Sequence, residues 1–339
     1  MLRAPQPRGP ASAALLERLF AAPGPVDLPL PEPEDPIADE DFQLALSLCY
    51  ELHYRGIPGV DERWEWDPHL LTISAELEAR FEAALRAQVV VPDVLPIDRV
   101  DVALRALAAS DDGPSLSRHL QRDGTLAQFR EFAAHRSIYQ LKEADPHSLA
   151  IPRLHGAPKA ALVEIQADEY GGGRPERVHA ELFAKALRAL GMDDRYGAYI
   201  DHVPAITLAT NNLMTLFGLH RRLRGAIVGH LALFEITSAV PNRRYGDALR
   251  RLGIDDPDAL DFFDEHVEAD AVHEAVAAVD LAGGLVRDEP ALAREVLFGA
   301  CALLHVEARW AAHLLDAWAA GESSLCLPLD HDQPAALAS

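Results

Sequence analysis

The stretch 255–274, DDPDALDFFDEHVEADAVHE, carries His266, Asp270 and His273. Asp255 or Asp256 can cap a helix here, and Pro257 suits its first turn, where a missing N–H costs nothing. Offsets of four and seven residues then put the three polar side chains within an arc of roughly 60°. Leu260, Phe263 and Val267 share or flank that side, so the trio faces the core. Burying two imidazoles and a carboxylate together is costly unless something satisfies them. A metal ion does so, since imidazole and carboxylate suit iron, zinc or manganese. A solvated helix face with two stray histidines is the alternative, and two His and one Asp do not decide between them. The metal reading requires further ligands elsewhere in the chain.

The bulk composition narrows the classes. The chain has 339 residues, 49% of them hydrophobic, enough for a large core. Its formal charge of −22 and the absence of a basic patch argue against nucleic acid as a partner. Cys49, Cys301 and Cys326 are scattered without a CxxC, which fits a reducing, cytoplasmic setting and no iron–sulfur cluster. No run of about 18 apolar residues or signal-peptide core is present, so no membrane span is expected. No flavin motif is present.

The elements that must position ligands are helices, and strand signals are nearly absent. Residues 1–40 are Pro-rich and are expected to be a flexible arm, with a short helix at most over 15–22. Helices are predicted over 41–55, 69–90, 98–109 and 114–121, an extension without ligands. A long helix is predicted from 124 to near Pro146, carrying His135, Tyr139 and Glu143. Another spans 154–169 and ends at ADEYGGG. Pro175 opens the next, with Glu176 and His179. Apolar helices cover 203–222 and 225–240, the second with a lone Glu235 among Leu233, Phe234 and Ile236. Such an acid needs a partner. The last helix, 288–319, carries His305, Arg309 and His313, and the segment 323–339 is expected to be a disordered tail.

Polar residues in apolar or helix-breaking contexts are thus Glu143, Glu169, His179, Glu235, His266, Asp270 and His273, drawn from five helices. Each has an ordinary explanation. His179 could be a core histidine, Glu235 could pair with Arg222 or Arg244, and Glu143 could be a surface acid. Together, three His and four carboxylates are a ligand supply for two ferrous ions, whose charge four carboxylates neutralise.

The order Glu … Glu–x9–His … Glu … His–x3–Asp–x2–His resembles the haem-oxygenase-like diiron oxidases and oxygenases. The local text agrees in QLKEADPHSLAIPRL, VEIQADEYGGGRPERVH, GAIVGHLALFEITSAVPNRRY and EHVEADAVHE. The resemblance covers about 124–320 and implies an all-α, haem-oxygenase-like bundle (124–322) behind an N-terminal helical extension (41–123). It implies Glu169, His179, Glu235, His266, Asp270 and His273 as ligands of two iron ions that activate O2, without haem. Glu143 matches an added carboxylate of the N-oxygenating branch and is expected to act in catalysis. Glu176, three before His179, is the competitor to Glu169, and the helix dipole alone explains an acid there. The resemblance further implies oxygen transfer to the nitrogen of an amine or guanidine on an amino acid or derivative, electrons from an external donor, and a homodimer. Oxidative C–C or C–N cleavage, including fatty-acid decarboxylation, is the alternative reaction, and a non-catalytic metal-binding helical protein the alternative class. Arg309 is a candidate clamp for a substrate carboxylate, with a surface salt bridge as the competing role. Asn212 and Tyr139 are candidates for orienting the metal-bound imidazoles.

Overall fold

The structure, a computed structural model, describes residues 2–329 except Asp27 and Val94, with Asp270 and Ala271 described by backbone alone. Among the described residues every regular element is a helix. In chain order they are α1 (Pro10–Leu19), α2 (Glu40–Glu51), α3 (Pro68–Gln88), α4 (Val100–Ser110), α5 (Leu116–Arg122), α6 (Leu126–Gln140) and α7 (Asp145–Ser148). Then come α8 (Gly156–Glu169), α9 (His179–Ala189), α10 (Ala205–Leu219), α11 (Arg224–Arg251), α12 (Pro257–Ala275), α13 (Gly283–Asp288) and α14 (Ala293–Ala319). A π-helical stretch, Val276–Ala282, joins α12 to α13.

Side-chain caps set several helix starts by satisfying N–H groups that have no partner within the helix. Asp67 accepts from the amides of His69 and Leu70, and Asp256 from that of Asp258. At α6, Thr125 Oγ1 accepts from Gln128 N while Gln128 Oε1 accepts from Thr125 N. Helix α6 stops at Gln140 instead of running on to Pro146, and 141–144 form turns. Ala144 there has φ 74°, the one left-handed non-glycine among the described residues, and its carbonyl accepts from Gln166 Nε2 at 2.8 Å. Conversely α11 runs straight through Pro241, longer than the sequence suggested.

The core is built around α11, which packs against α12 and α14. By length and composition Arg221–Arg251 is apolar enough to cross a bilayer, which the sequence reading had not anticipated; most of it is instead buried at the centre of the bundle. Glycines let α11 and α14 touch: a Cβ on Gly229 would collide with the Val296 carbonyl, and one on Gly299 with that of Ala226. Phe129, Phe132, Phe183, Phe262 and Phe263 are fully buried in the core. Each contributes about 1.5–3 kcal/mol by leaving water.

The N-terminal arm is held, not free. Leu2, Leu15 and Leu19 are buried, Asp41 accepts from the amides of Ala11 and Ser12 at 2.8 and 2.7 Å, and Arg8 donates to the Ile200 carbonyl at 2.6 Å. The extension docks on the bundle through α2 against α10 and α5 against α11. Asn212 belongs to that seam: its Nδ2 donates to Gln43 O and Oε1 at 3.0 and 2.7 Å. Part of the expected tail is also anchored. Ser323 Oγ, Ser324 N and Ser324 Oγ all donate to the buried Glu131 carboxylate, alongside Trp318 Nε1. Residues 330–339 lie outside the described residues.

Candidate metal centre

Six of the seven sequence-selected ligands are buried together on five elements. Glu143 comes from the turn after α6, Glu169 from the end of α8, His179 from the start of α9, Glu235 from α11, and His266 and His273 from α12. All are at most 7% exposed. They fall into two groups whose ligand atoms lie within 4.8 Å of one another: Glu143, Glu169, His179 and His266, and then Glu169, Glu235 and His273. Glu169 belongs to both. Glycines make that possible: Gly171, Gly172 and Gly173 have φ of 68°, 59° and 79°, and the reversal returns the chain so that His179 Nδ1 stands 2.9 Å from Glu169 Oε2.

The ring nitrogens are oriented from outside the cluster. His266 Nδ1 donates to the Phe262 carbonyl at 2.7 Å, one turn back on α12, leaving Nε2 to face Glu143 Oε1 at 3.5 Å. His273 Nε2 pairs with Asp168 Oδ2 at 3.1 Å, leaving Nδ1 3.4 Å from Glu235 Oε2. A carbonyl or carboxylate behind an imidazole is how proteins fix the tautomer of a metal-binding histidine.

The charges are tightly coupled. Burial alone would raise the Glu169 carboxyl, but the His179, His266 and His273 rings hold it at about 2. Burial disfavours the charged form of His273, yet Glu235, Asp168 and Glu169 raise it to about 9. His179 is raised in the same way by Glu169 against its own desolvation. Without an ion, then, buried carboxylates hold protons on buried imidazoles.

Glu143 Oε2 finds no hydrogen-bond partner although buried, and His179 Nδ1 and His273 Nδ1 face carboxylates without a well-aligned hydrogen bond. An unpaired buried oxygen costs about 1–3 kcal/mol, and cations in the two groups would engage all three atoms. The donor set, imidazole and carboxylate without thiolate, fits iron.

The family model described as iron-containing redox enzyme matches residues 130–308. The chain belongs to that family. The match covers every ligand candidate from Glu143 to His273, and the all-helical bundle is the haem-oxygenase-like fold expected of this iron-containing redox enzyme. No match was found among curated proteins.

Within this enzyme, the competing roles for the cluster residues are occupied by others. Glu176 is exposed on a 3-10 turn, while Glu169 is buried against His179. Arg222 pairs with Glu82, and Arg244 faces serines, so neither neutralises Glu235. Asp270 lies on α12, but its side chain is outside the described residues.

Arg309 shows the competing role, an ion pair: it is bound to Asp35 of the N-terminal arm at 2.5 Å and to Gln88 at 3.0 Å. Asn212 serves the extension instead of the imidazoles. Tyr139 does border the cluster, lining the cavity formed with Glu143, Glu169, Glu235 and His266. Burial and those carboxylates push its hydroxyl well above the usual range. Two residues escaped sequence reasoning: Asp168, behind His273, and His147, on the same cavity wall, whose Nε2 meets His230 Nδ1 at 3.1 Å. Burial keeps His147 down at about 4 and His230 well below its usual value, so the pair is neutral.

Proposed function

We propose that this protein is a non-haem diiron oxygenase that transfers oxygen from O2 to the nitrogen of an amine or guanidine on an amino acid or derivative. The observation that carries the diiron reading is the pair of ligand groups sharing Glu169. One ion would take Glu143, Glu169, His179 and His266. The second would take Glu169, Glu235 and His273; Asp270, a ligand by resemblance, has its side chain outside the described residues. Bound iron would supply the O2 activation. This chain's residues do the rest. Glu169 would be shared by the two ions, Phe262 and Asp168 hold the rings of His266 and His273, and Tyr139, Phe234 and Leu231 wall the cavity against bulk water.

Nitrogen as the acceptor is supported by Glu143, a carboxylate beyond the minimal set, in the first group. It is also supported by the cleft beside Phe234, which is lined by arginines, serines and a glutamine as well as aromatics. A fatty acid would call for a long apolar tunnel. Electrons would come from an external donor, and the functional unit would be a cytoplasmic homodimer in a biosynthetic pathway. The test is anaerobic loading with Fe(II), addition of O2, a reductant and a panel of amino acids, and mass spectrometry. One 18O from labelled O2 on nitrogen supports the reading. Fragmentation with loss of a C–C or C–N bond, or no substrate consumed by iron-loaded protein, refutes it.

A further inference from the structure

Among the described ligand candidates only Glu143 stands outside a helix. It lies in the turn 141–144 between α6 and α7, and its own amide reaches the Gln140 carbonyl at 3.4 Å, a long bond. The backbone alone therefore places it poorly. Side chains hold the residues on either side instead.

Before Glu143 the hold comes from the extension. Arg55 Nη2 donates to the Leu141 carbonyl at 2.8 Å. The buried Lys142 ammonium lies 3.9 Å from Glu51 Oε2 and 3.9 Å from the centre of the Tyr54 ring. After Glu143 the hold comes from α8. Gln166 Nε2, buried, donates to the Ala144 carbonyl at 2.8 Å and to Ser148 Oγ at 2.7 Å. Ser148 Oγ meets the Tyr170 hydroxyl at 2.9 Å, and that hydroxyl donates to Asp145 Oδ1 at 2.8 Å. The donors can run in one direction, from Gln166 to Ser148 to Tyr170 to Asp145, so every bond in the chain forms at once.

Glu169 stands between Gln166 and Tyr170 in sequence, and spacings of three and four put all three on one side of α8 and its end. One metal-ligand candidate is thus flanked by two residues that grip the neighbours of another. The two carboxylates belong to the same group, with ligand atoms within 4.8 Å of one another. Ala144 shows what the grip resists. Its φ of 74° is unfavourable for a residue with a Cβ, and its carbonyl takes the Gln166 bond in addition to one from Ser148 N at 3.0 Å. Without Gln166 the chain at Ala144 is freer to leave the left-handed region, and Glu143 turns with it. Glu169 stays, because the backbone of α8 holds it.

We propose that Gln166, assisted by Tyr170, is a positioning residue that fixes Glu143 against Glu169 and so sets the affinity for the first ion alone. This rests on the diiron reading and deepens it.

The test is anaerobic equilibrium dialysis of the full chain against Fe(II), with 57Fe Mössbauer spectra and helical circular dichroism on every variant. Removing a residue that orients a ligand costs about tenfold or more in metal affinity. Gln166→Met, of similar length but without a donor, should weaken one ion by that factor, spare the other, and alter one ferrous doublet. Tyr170→Phe should weaken the same ion by less, since it leaves both Gln166 bonds in place. In a Glu143→Ala chain Gln166→Met should cost nothing further, because it acts through that carboxylate. Equal weakening of both ions, or the same loss with and without Glu143, would mean that Gln166 merely supports the bundle and overturns the proposal. If the wild type holds fewer than two ions, the diiron reading fails and this proposal falls with it. Two ions in the wild type that Gln166→Met leaves untouched refute this proposal alone.

Discussion

Replacing Glu169 by Ala should damage both metal positions at once, and no other single ligand should. Glu169 is one of four donors in the first group and one of three described donors in the second. A tetrahedral protein site binds zinc with about 10–16 kcal/mol, roughly 3 kcal/mol per ligand, or about two decades in affinity. Glu169→Ala therefore weakens each ion by about 100-fold, and the pair by about 10^4. Glu143→Ala should cost the same 100-fold on the first ion only, and Glu235→Ala on the second only. Iron count against free Fe(II), by anaerobic equilibrium dialysis, separates the cases. The single-group variants hold one ion tightly and one weakly, while Glu169→Ala holds two weakly. The apo chain should change oppositely in its electrostatics. Without the Glu169 carboxylate the His179 ring loses the charge that raises it, so its proton leaves at lower pH. A Glu169→Ala isotherm that overlays that of Glu143→Ala or Glu235→Ala would refute the shared position.

Further outcomes follow from the same geometry. His273 is raised from its unfolded value of 6.5 to about 9, so its contribution to apo stability is present below pH 6.5 and lost as pH rises through about 9. Because an ion needs the neutral ring, loading near pH 7.5 should release about one proton from His273, read by calorimetry in buffers of differing ionisation heat. Proton uptake would contradict this. Asp168→Asn should weaken the second ion about tenfold and spare the first, the low end of such effects because Asp168 is 63% exposed. Glu131→Ala should lower unfolding free energy by about 3 kcal/mol, since it strands the Trp318 and Ser324 donors, with the denaturant midpoint as readout. An unshifted midpoint would show that the C-terminal segment is held by other contacts.

The legible parts of this site were those that secondary structure alone arranges. His266 and His273 share a face because helical periodicity puts them there, and Asp256 and Pro257 mark where that helix begins. Glu235 stood out as an acid in an apolar run. Sequence favours Glu169 over Glu176 only because the helix dipole explains an acid at 176; the geometry behind the choice depends on how three left-handed glycines turn the chain. Glu143 was found, but on a helix it does not belong to: α6 ends at Gln140, and Ala144 adopts a left-handed turn held by Gln166. The acid that pairs with Arg309 was not legible, because Asp35 lies 274 residues away on an arm that composition marks as flexible. Asp168 and His147 gave no periodic signal. One is an exposed acid beside a buried one, and the other sits on the four-residue helix α7. The cleft beside Phe234 is the least legible part, since its walls come from six helices and the link between α4 and α5.

The central claim is that one chain holds two iron ions through a shared Glu169. Anaerobic titration of the metal-free chain with 57Fe(II), followed by iron counting and Mössbauer spectroscopy, tests it most directly. The account predicts two ions per chain in two distinct ferrous environments, reflecting a group of four described donors and a group of three. Saturation at one ion, or a single environment that persists in Glu143→Ala, would contradict it.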